Sequence, residues 1–447
     1  MASNEDAPAP PASSWRDLYR LEDWWAVWLG LLMFAAAGLG IVTSVPKLPK
    51  WQWGEFGSAF SASIVLPLIA LAAGLGLLYF VIISLIDRGR AKSFLFGFGI
   101  VFLVACAAFL IANEASMTYY DIPYVFWALA IGMLISNTFG TPAWLGSAAR
   151  TEFYIKTGLV LFGAEILFGN IWSFGAYGVA ISWLVAPTVI VMMWLFGTRW
   201  LNMGNKPLVM VLAAETAVCG VSAAIATGAA CKAKKEDLTV AVGIGLIFTV
   251  IMMVTMPPIA KWFGMDALLA GAWLGGTIDA TGAVVAAGKA MGGQAEAAAA
   301  IVKMIQNLLI GVVAFVVAIY WVSAVERDAN ARRPSLLEVW HRMPKFVIGF
   351  VLASLIASAF AKTDSGALVV KSITAQTKQL REWLFCLAFV SIGLESNLKD
   401  LAKQMTGGKP LVLYLFGQTA NIVLTLIVAW LVLNGSFFPI PEDLVKP

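Results

Sequence analysis

Residues 62–86 read ASIVLPLIALAAGLGLLYFVIISLI, without one charged side chain. About 20 mostly apolar residues are enough for a helix to cross the hydrocarbon core of a bilayer, so this stretch reads as a spanning helix. Similar segments recur on both sides of it, at 24–44, 94–113, 123–138, 153–171, 173–198, 207–231, 238–260, 266–289, 295–322, 345–361, 380–396 and 409–434. Over all 447 residues, 60% are hydrophobic and 13% charged, against about 25% charged in soluble domains. The mean hydropathy of +0.84 agrees. The expected class is an all-α polytopic membrane protein with about 11–13 transmembrane segments.

Composition excludes several chemistries. The single histidine, His341, lies among charged loop residues, which argues against histidine metal sites, haem ligation and a Ser-His-Asp triad. Cys106, Cys219, Cys231 and Cys386 sit in or beside apolar segments with no Cys-x-x-Cys pair, so no disulfide framework is expected. GAVVAAGKA (282–290) has the wrong glycine spacing for a phosphate loop, and Ala290 follows its lysine. No metalloprotease, nucleophile-elbow or dinucleotide signature appears in a suitable context, so neither an enzyme nor a cofactor is expected. The net charge of +4 is modest and gives no support for nucleic-acid binding.

Residues 1–23 lack the basic start of a signal peptide and read as a cytoplasmic tail, with Trp15 and Tyr19 at the headgroups. Lysine and arginine in the loops favour a cytoplasmic N-terminus. One loop disobeys: with every segment crossing, KAKKED (232–237) lies outside. If 207–231 and 266–289 instead enter and leave on one side, those lysines move inside. Both readings stay open at this level.

Ionisable groups at membrane depth cost several kcal/mol and are the first functional candidates. They are Lys156, Glu165, Glu215, Asp279, Lys303 and Glu395; Lys156 and Glu395 also fit snorkelling from helix ends. Glu215 and Asp279 stand out because small and polar residues surround them: Thr216, Cys219, Gly220 and Ser222 in AETAVCGVSAA, and Thr277, Thr281 and Gly282 in GGTIDATGA. Such sequences let a helix open, and freed helix N-termini suit an oxyanion while a neighbouring carboxylate takes a proton or sodium ion. Close helix packing through Gly271-x-x-x-Gly275 is the structural alternative. Lys303 could meet the anion or pair with Asp279. The two polar segments are similar to each other. So are 158–171 and 389–401, which share Gly-x-Glu at Gly163/Glu165 and Gly393/Glu395 and follow similar apolar runs. Repeats of this kind are typical of secondary transporters.

ALAIGMLISNTFG, KTGLVLFGAEILFGNI, AETAVCGVSAAIATGAACKAKKEDLTVAVG, GGTIDATGAVVAAG, IVKMIQ and FVSIGLESNLKDL followed by KPL occur in this order. The series resembles the family named for sulfate export, bacterial inner-membrane proteins of the conserved-hypothetical type, distantly like the cation/proton antiporter and bile-acid symporter group. The likeness covers about 123–436, leaving a tail (1–23), three extra helices (24–122) and a C-terminal tail (437–447) outside a core of two related halves. It implies inverted repeats with interrupted helices at the site, a multi-pass inner-membrane location and an elevator or rocking motion. The chain departs from the pattern. Glu215-Thr216-Ala217-Val218-Cys219-Gly220 stands where members often carry Ser-Ser-x-Cys-Gly, and Thr277-Ile278-Asp279-Ala280 where Thr-Val-His-Glu is frequent. Gly163-Ala164-Glu165 replaces a common Gly-Phe-Arg. These changes make the site more negative, which points toward cation coupling.

The expected function is ion-coupled transport of a small sulfate- or sulfite-like or organic anion. Thr216, Cys219, Gly220, Ser222, Thr277, Thr281, Gly282 and Lys303 would contact the anion, and Glu215, Asp279 and Glu165 would carry the coupling H+ or Na+. A cation/proton antiporter using the same carboxylates is the alternative. Expected partners are the anion and the lipid bilayer, with a homodimer as the expected assembly.

Overall fold

The computed structural model describes residues 17–52, 61–119, 123–166, 168–326, 340, 343–397 and 408–435. Trp15, His341 and the 437–447 tail lie outside the described residues. Among those described, the fold is helical and has no strand. Apolar side chains such as Leu66, Leu77 and Val191 face outward, the inverse of a soluble surface and the pattern expected against lipid.

The long elements are α1 (Glu22–Gly38), α2 (Ala62–Ile86), α3 (Arg88–Ala112), α4 (Tyr124–Thr138), α5 (Thr151–Gly163) and α6 (Phe168–Leu195). Then come α7 (Lys206–Ala214), α8 (Val221–Ala230), α9 (Lys235–Trp262), α10 (Ala267–Thr277), α11 (Thr281–Ala290) and α12 (Gly293–Tyr320). The chain continues with α13 (Phe346–Phe360), α14 (Asp364–Glu395) and α15 (Lys409–Leu433). Several bounds differ from the sequence reading. The first span ends at Gly38, not 44. The 153–171 segment divides, because the helix stops at Gly163 and the next begins at Phe168. The span read at 380–396 starts sixteen residues earlier, at Asp364, where the Thr363 side chain caps the helix through the Gly366 N–H at 3.1 Å. That early part carries lysines and glutamines, so hydropathy alone gives no sign of it.

By packing, the chain forms two units. One, the hairpin unit, is built from the described residues within 173–344 and 408–435; the other, the paired-helix unit, is built from those within 19–172 and 345–397.

In the paired-helix unit, α5 and α14 run antiparallel. Thr151 bonds Glu395 at 3.0 Å, Gly158 lies against Phe385, and Glu165 meets Arg381 at 2.8 Å. α4 packs on α14 as α13 packs on α5. The Ser136 hydroxyl has the Gly393 and Ser396 carbonyls within reach as acceptors, at 3.0 and 3.1 Å, and the Ser354 hydroxyl donates to the Ile166 carbonyl. Gly393 presses on Leu129 and Gly132, while Gly163 presses on the Phe350 backbone. In each case the acceptor carbonyl lies three residues beyond the shared glycine and the serine lies four residues beyond the contacted backbone. The two Gly-x-Glu segments therefore occupy related, inverted positions. α1 fits beside them through Gly30 on Val160, and the pairing of Asp23 with Lys156 at 2.7 Å fixes its start. Lys156 is thus ion-paired.

In the hairpin unit, 207–231 and 266–289 are not crossings. At Cys231 the sulfur lies 3.9 Å from the Pro207 carbonyl, so α8 returns to where α7 began. A π-helical turn, Glu215–Cys219, ends the inward arm. Gly220 then reverses the chain with φ +58°, a conformation that a side chain disfavours. The second segment reverses through extended backbone at Ile278–Ala280. Both of its arms lie along α12: Gly271 and Gly288 each press on Ala295, while nearer the turn Gly276 and Thr281 bond Gln306 and Asn307. The Gly271/Gly275 packing and the interrupted helix thus coexist in one segment.

The first hairpin opens at the start of α9 and the second just past its end. At 28 residues, α9 is about 42 Å long, more than the hydrocarbon thickness, so the hairpins enter from opposite faces. Glu215 lies against Gly245, ten residues into α9 and so about 15 Å from its start. Among the described residues, six helices are long and apolar enough to cross a membrane, and KAKKED moves to the side where α7 begins.

Two measurements test these features. Single cysteines at Gly204 and Ala233 should react with an impermeant maleimide from one side of the membrane, and those at Phe263 and Gly293 from the other; labelling of Gly204 and Ala233 from opposite sides would restore plain crossings. Gly163→Ala drives a methyl group into the Phe350 carbonyl and should destabilise the detergent-solubilised protein by about 1–3 kcal/mol in thermal unfolding.

Candidate functional site

The two hairpin tips meet inside the hairpin unit. A β-carbon added at Gly220 would sit 3.5 Å from the Asp279 carbonyl oxygen. Each inward arm ends with backbone carbonyls that no further helical turn satisfies, and each outward arm starts with N–H groups in the same position.

α12 provides the donors for the carbonyls. Lys303 Nζ donates to the Val218 carbonyl at 2.6 Å and to Gln306 Oε1 at 2.7 Å. Gln306 Nε2 then donates to Ala217 of the first tip and Gly276 of the second, at 3.0 and 3.2 Å. Lys303 therefore holds a tip together, and its contact with that tip is to the backbone. α15 binds both tips from another direction: Asn421 Nδ2 donates to the Thr216 and Thr277 carbonyls at 3.2 and 3.3 Å, and Gln418 Nε2 donates to the Thr277 carbonyl at 3.1 Å. The Tyr414 hydroxyl donates to Asp279 Oδ2.

Glu215 and Asp279 are each 1% exposed, as is Lys303. The Glu215 carboxyl lies on bare backbone at Gly245, where any β-carbon would overlap it. Two carboxyl groups and one ammonium leave one negative charge uncompensated in this water-poor interior, unless a proton or another cation supplies the balance.

Of the residues read from sequence, the structure gathers Glu215, Thr216, Cys219, Gly220, Thr277, Asp279, Thr281 and Lys303 at the tips, with Ser222 and Gly282 in the first turns of α8 and α11. The Thr216 hydroxyl is directed to the Leu212 carbonyl at 2.8 Å and Thr281 accepts from Asn307, so neither hydroxyl is idle. Glu165 belongs to the paired-helix unit, in a two-pronged ion pair with Arg381 at 2.8 and 2.9 Å beneath the Phe162 ring. Tyr414, Gln418, Asn421, Gly245 and Arg381 were not singled out from sequence. The signal for three of them was present: Tyr414, Gln418 and Asn421 recur at i, i+4 and i+7 on an otherwise apolar helix.

Among the described residues, no group of three or more His, Cys, Asp and Glu side chains could hold a metal ion. No solved structure matches the chain. A UPF0324 membrane protein of Rhodopirellula baltica is 41% identical, covering 98% of this chain and 94% of that relative. Another, of Nitratidesulfovibrio vulgaris, is 47% identical over 87% of this chain and 67% of its own length. The UPF0324 membrane protein TauZ of Paracoccus denitrificans is 29% identical over 73% of this chain and 93% of its own. The family model described as conserved hypothetical protein 698 matches residues 96–414, from within α3 to Tyr414 on α15. The chain belongs to this family of multi-pass membrane proteins.

Proposed function

We propose that the protein is an ion-coupled secondary transporter of a small oxyanion of the sulfate or sulfite type, with its site at the meeting hairpin tips. The observation that carries this reading is the approach of two interrupted helices from opposite faces to one buried point that holds two carboxyl groups. The first turns of α8 and α11 offer backbone N–H groups and the positive ends of two helix dipoles, which bind an oxyanion without a formal charge. Ser222 and Gly282 stand in those turns, where a small residue lets the anion approach the backbone.

Coupling follows from charge. With Lys303 in place the site still carries one net negative charge, so an anion arriving alone meets repulsion in a medium that screens poorly. A cation or proton taken up by Glu215 and Asp279 removes that charge, so cation and anion promote each other's binding by the same factor.

The test is uptake of isotopic sulfate, sulfite and small carboxylates by vesicles containing the purified protein, driven by sodium or pH gradients. Asp279→Asn should express and fold near normally yet lose gradient-driven uptake by at least tenfold. Native rates in that variant would remove Asp279 from the coupling site, and pH-driven sodium movement without any anion would identify an antiporter instead.

A further inference from the structure

The oxygen atoms left over at the tips indicate which cation is coupled. Glu215 Oε2, Thr277 Oγ1, Asp279 Oδ1 and Gln418 Oε1 are buried with no hydrogen-bond partner, and Asn307 Oδ1 is a fifth such atom. Their residues are at most 4% exposed. Unpartnered buried oxygens are rare, and each costs about 1–3 kcal/mol. Here the first four share one neighbourhood, because two amides of α15 tie it together. Gln418 and Asn421 both donate to the Thr277 carbonyl, Asn421 also donates to the carbonyl of Thr216 beside Glu215, and Tyr414, one turn before Gln418, donates to Asp279.

A proton satisfies few of these atoms. Bound to one carboxyl oxygen it makes one new donor and leaves the other oxygens as they were. A hard cation takes several oxygens at once and needs no N–H or O–H donor. The ligand types, two carboxylates, an amide oxygen and a hydroxyl, exclude soft metals. The charge favours a monovalent ion: with Lys303 protonated beside two carboxylates, one positive charge brings the cluster to neutrality.

We propose that Glu215, Thr277, Asp279 and Gln418 form a sodium site at the hairpin tips. The identity of the ion rests on the transport reading above only for its role in coupling; binding itself does not depend on it. In the sodium-bound state, Gln418 presents its oxygen to the ion while its nitrogen stays on the Thr277 carbonyl, so the ion fastens α15 to the second tip. Thr277 joins the site through its hydroxyl and its backbone carbonyl remains with the two amides.

The experiment is equilibrium dialysis of the full-length protein in detergent against radioactive sodium, with thermal unfolding followed in parallel in NaCl, KCl and choline chloride at equal ionic strength. The expected result is saturable sodium binding and a rise in unfolding temperature in NaCl that KCl and choline do not reproduce. Thr277→Val and Gln418→Met should weaken sodium binding at least tenfold, and Thr277→Ser should restore it. Equal unfolding temperatures in the three salts with no saturable binding would overturn the proposal, as would native sodium affinity in folded Thr277→Val. Because the unsubstituted protein decides the first point, misfolding of a variant leaves the proposal testable. Sodium binding without anion uptake in vesicles would overturn the transport reading and leave the site standing; anion uptake driven by pH alone, with no sodium binding, would do the reverse.

Discussion

Ending a helix halfway through a bilayer strands its last carbonyls where no water can reach them, and the hairpin unit is organised around that problem. Lys303 and Gln306 supply donors from α12, and Gln418 and Asn421 supply them from α15, to the carbonyls of Thr216, Ala217, Val218, Gly276 and Thr277. Without these side chains the inward arms would have to continue as helix and the hairpins would become spans. The donors also fix what else can be present. Each is a polar side chain on a mostly apolar helix, and together they bring an ammonium and three primary amides to the depth where Glu215 and Asp279 lie. The polar interior therefore begins as a remedy for broken helices and becomes a place where charge can be held.

Glycine carries the complementary constraint. Gly271, Gly275 and Gly288 let the second hairpin lie close enough to α12 for Gln306 and Asn307 to reach its turn, and Gly245 leaves α9 open beside the Glu215 carboxyl. In lipid, where burial of apolar surface gives no drive toward association, this closeness supplies the dispersion contacts that hold helices together. A methyl group at any of these positions separates a donor from its carbonyl as well as two helices from each other.

Much of this was legible in the sequence, for physical reasons. Charge-free runs such as 62–86 reveal a span because hydrocarbon tolerates little else. Glu215 and Asp279 stood out because carboxylates at depth are costly, and their small neighbours marked where the helices break. The Gly-x-Glu pair was legible as a repeat, although the partners of its acids were not: Glu165 faces Arg381 while the corresponding Glu395 accepts from the hydroxyl of Thr151. Arg381 escaped notice because it stands at the polar edge of its segment, which reads as a loop until the helix is seen to start at Asp364. The hairpins could not be decided from hydropathy, since a re-entrant pair of arms and one long span have the same length and composition. The charge of KAKKED and the small, polar breaks at Cys219-Gly220 and Thr281-Gly282 bore on the choice. Tyr414, Gln418 and Asn421 are ordinary residues one at a time and become informative through their helical spacing.

The crossed packing of the paired-helix unit also sets a timetable for biosynthesis. Ser136 on α4 finds the Gly393 carbonyl across 257 residues of chain, and Ser354 finds Ile166 across 188. At about 5–20 residues per second, roughly 13–50 s separate the synthesis of α4 from that of its partner. During that interval the Ser136 hydroxyl lacks its acceptors on α14 and just past its end. The Ser136 hydroxyl has a provisional acceptor in its own helix, the Met133 carbonyl at 3.2 Å, which the finished fold replaces with the nearer Gly393 and Ser396 carbonyls. A bond within the helix thus shelters the hydroxyl until the last third of the chain emerges, so α4 can be inserted early and completed late.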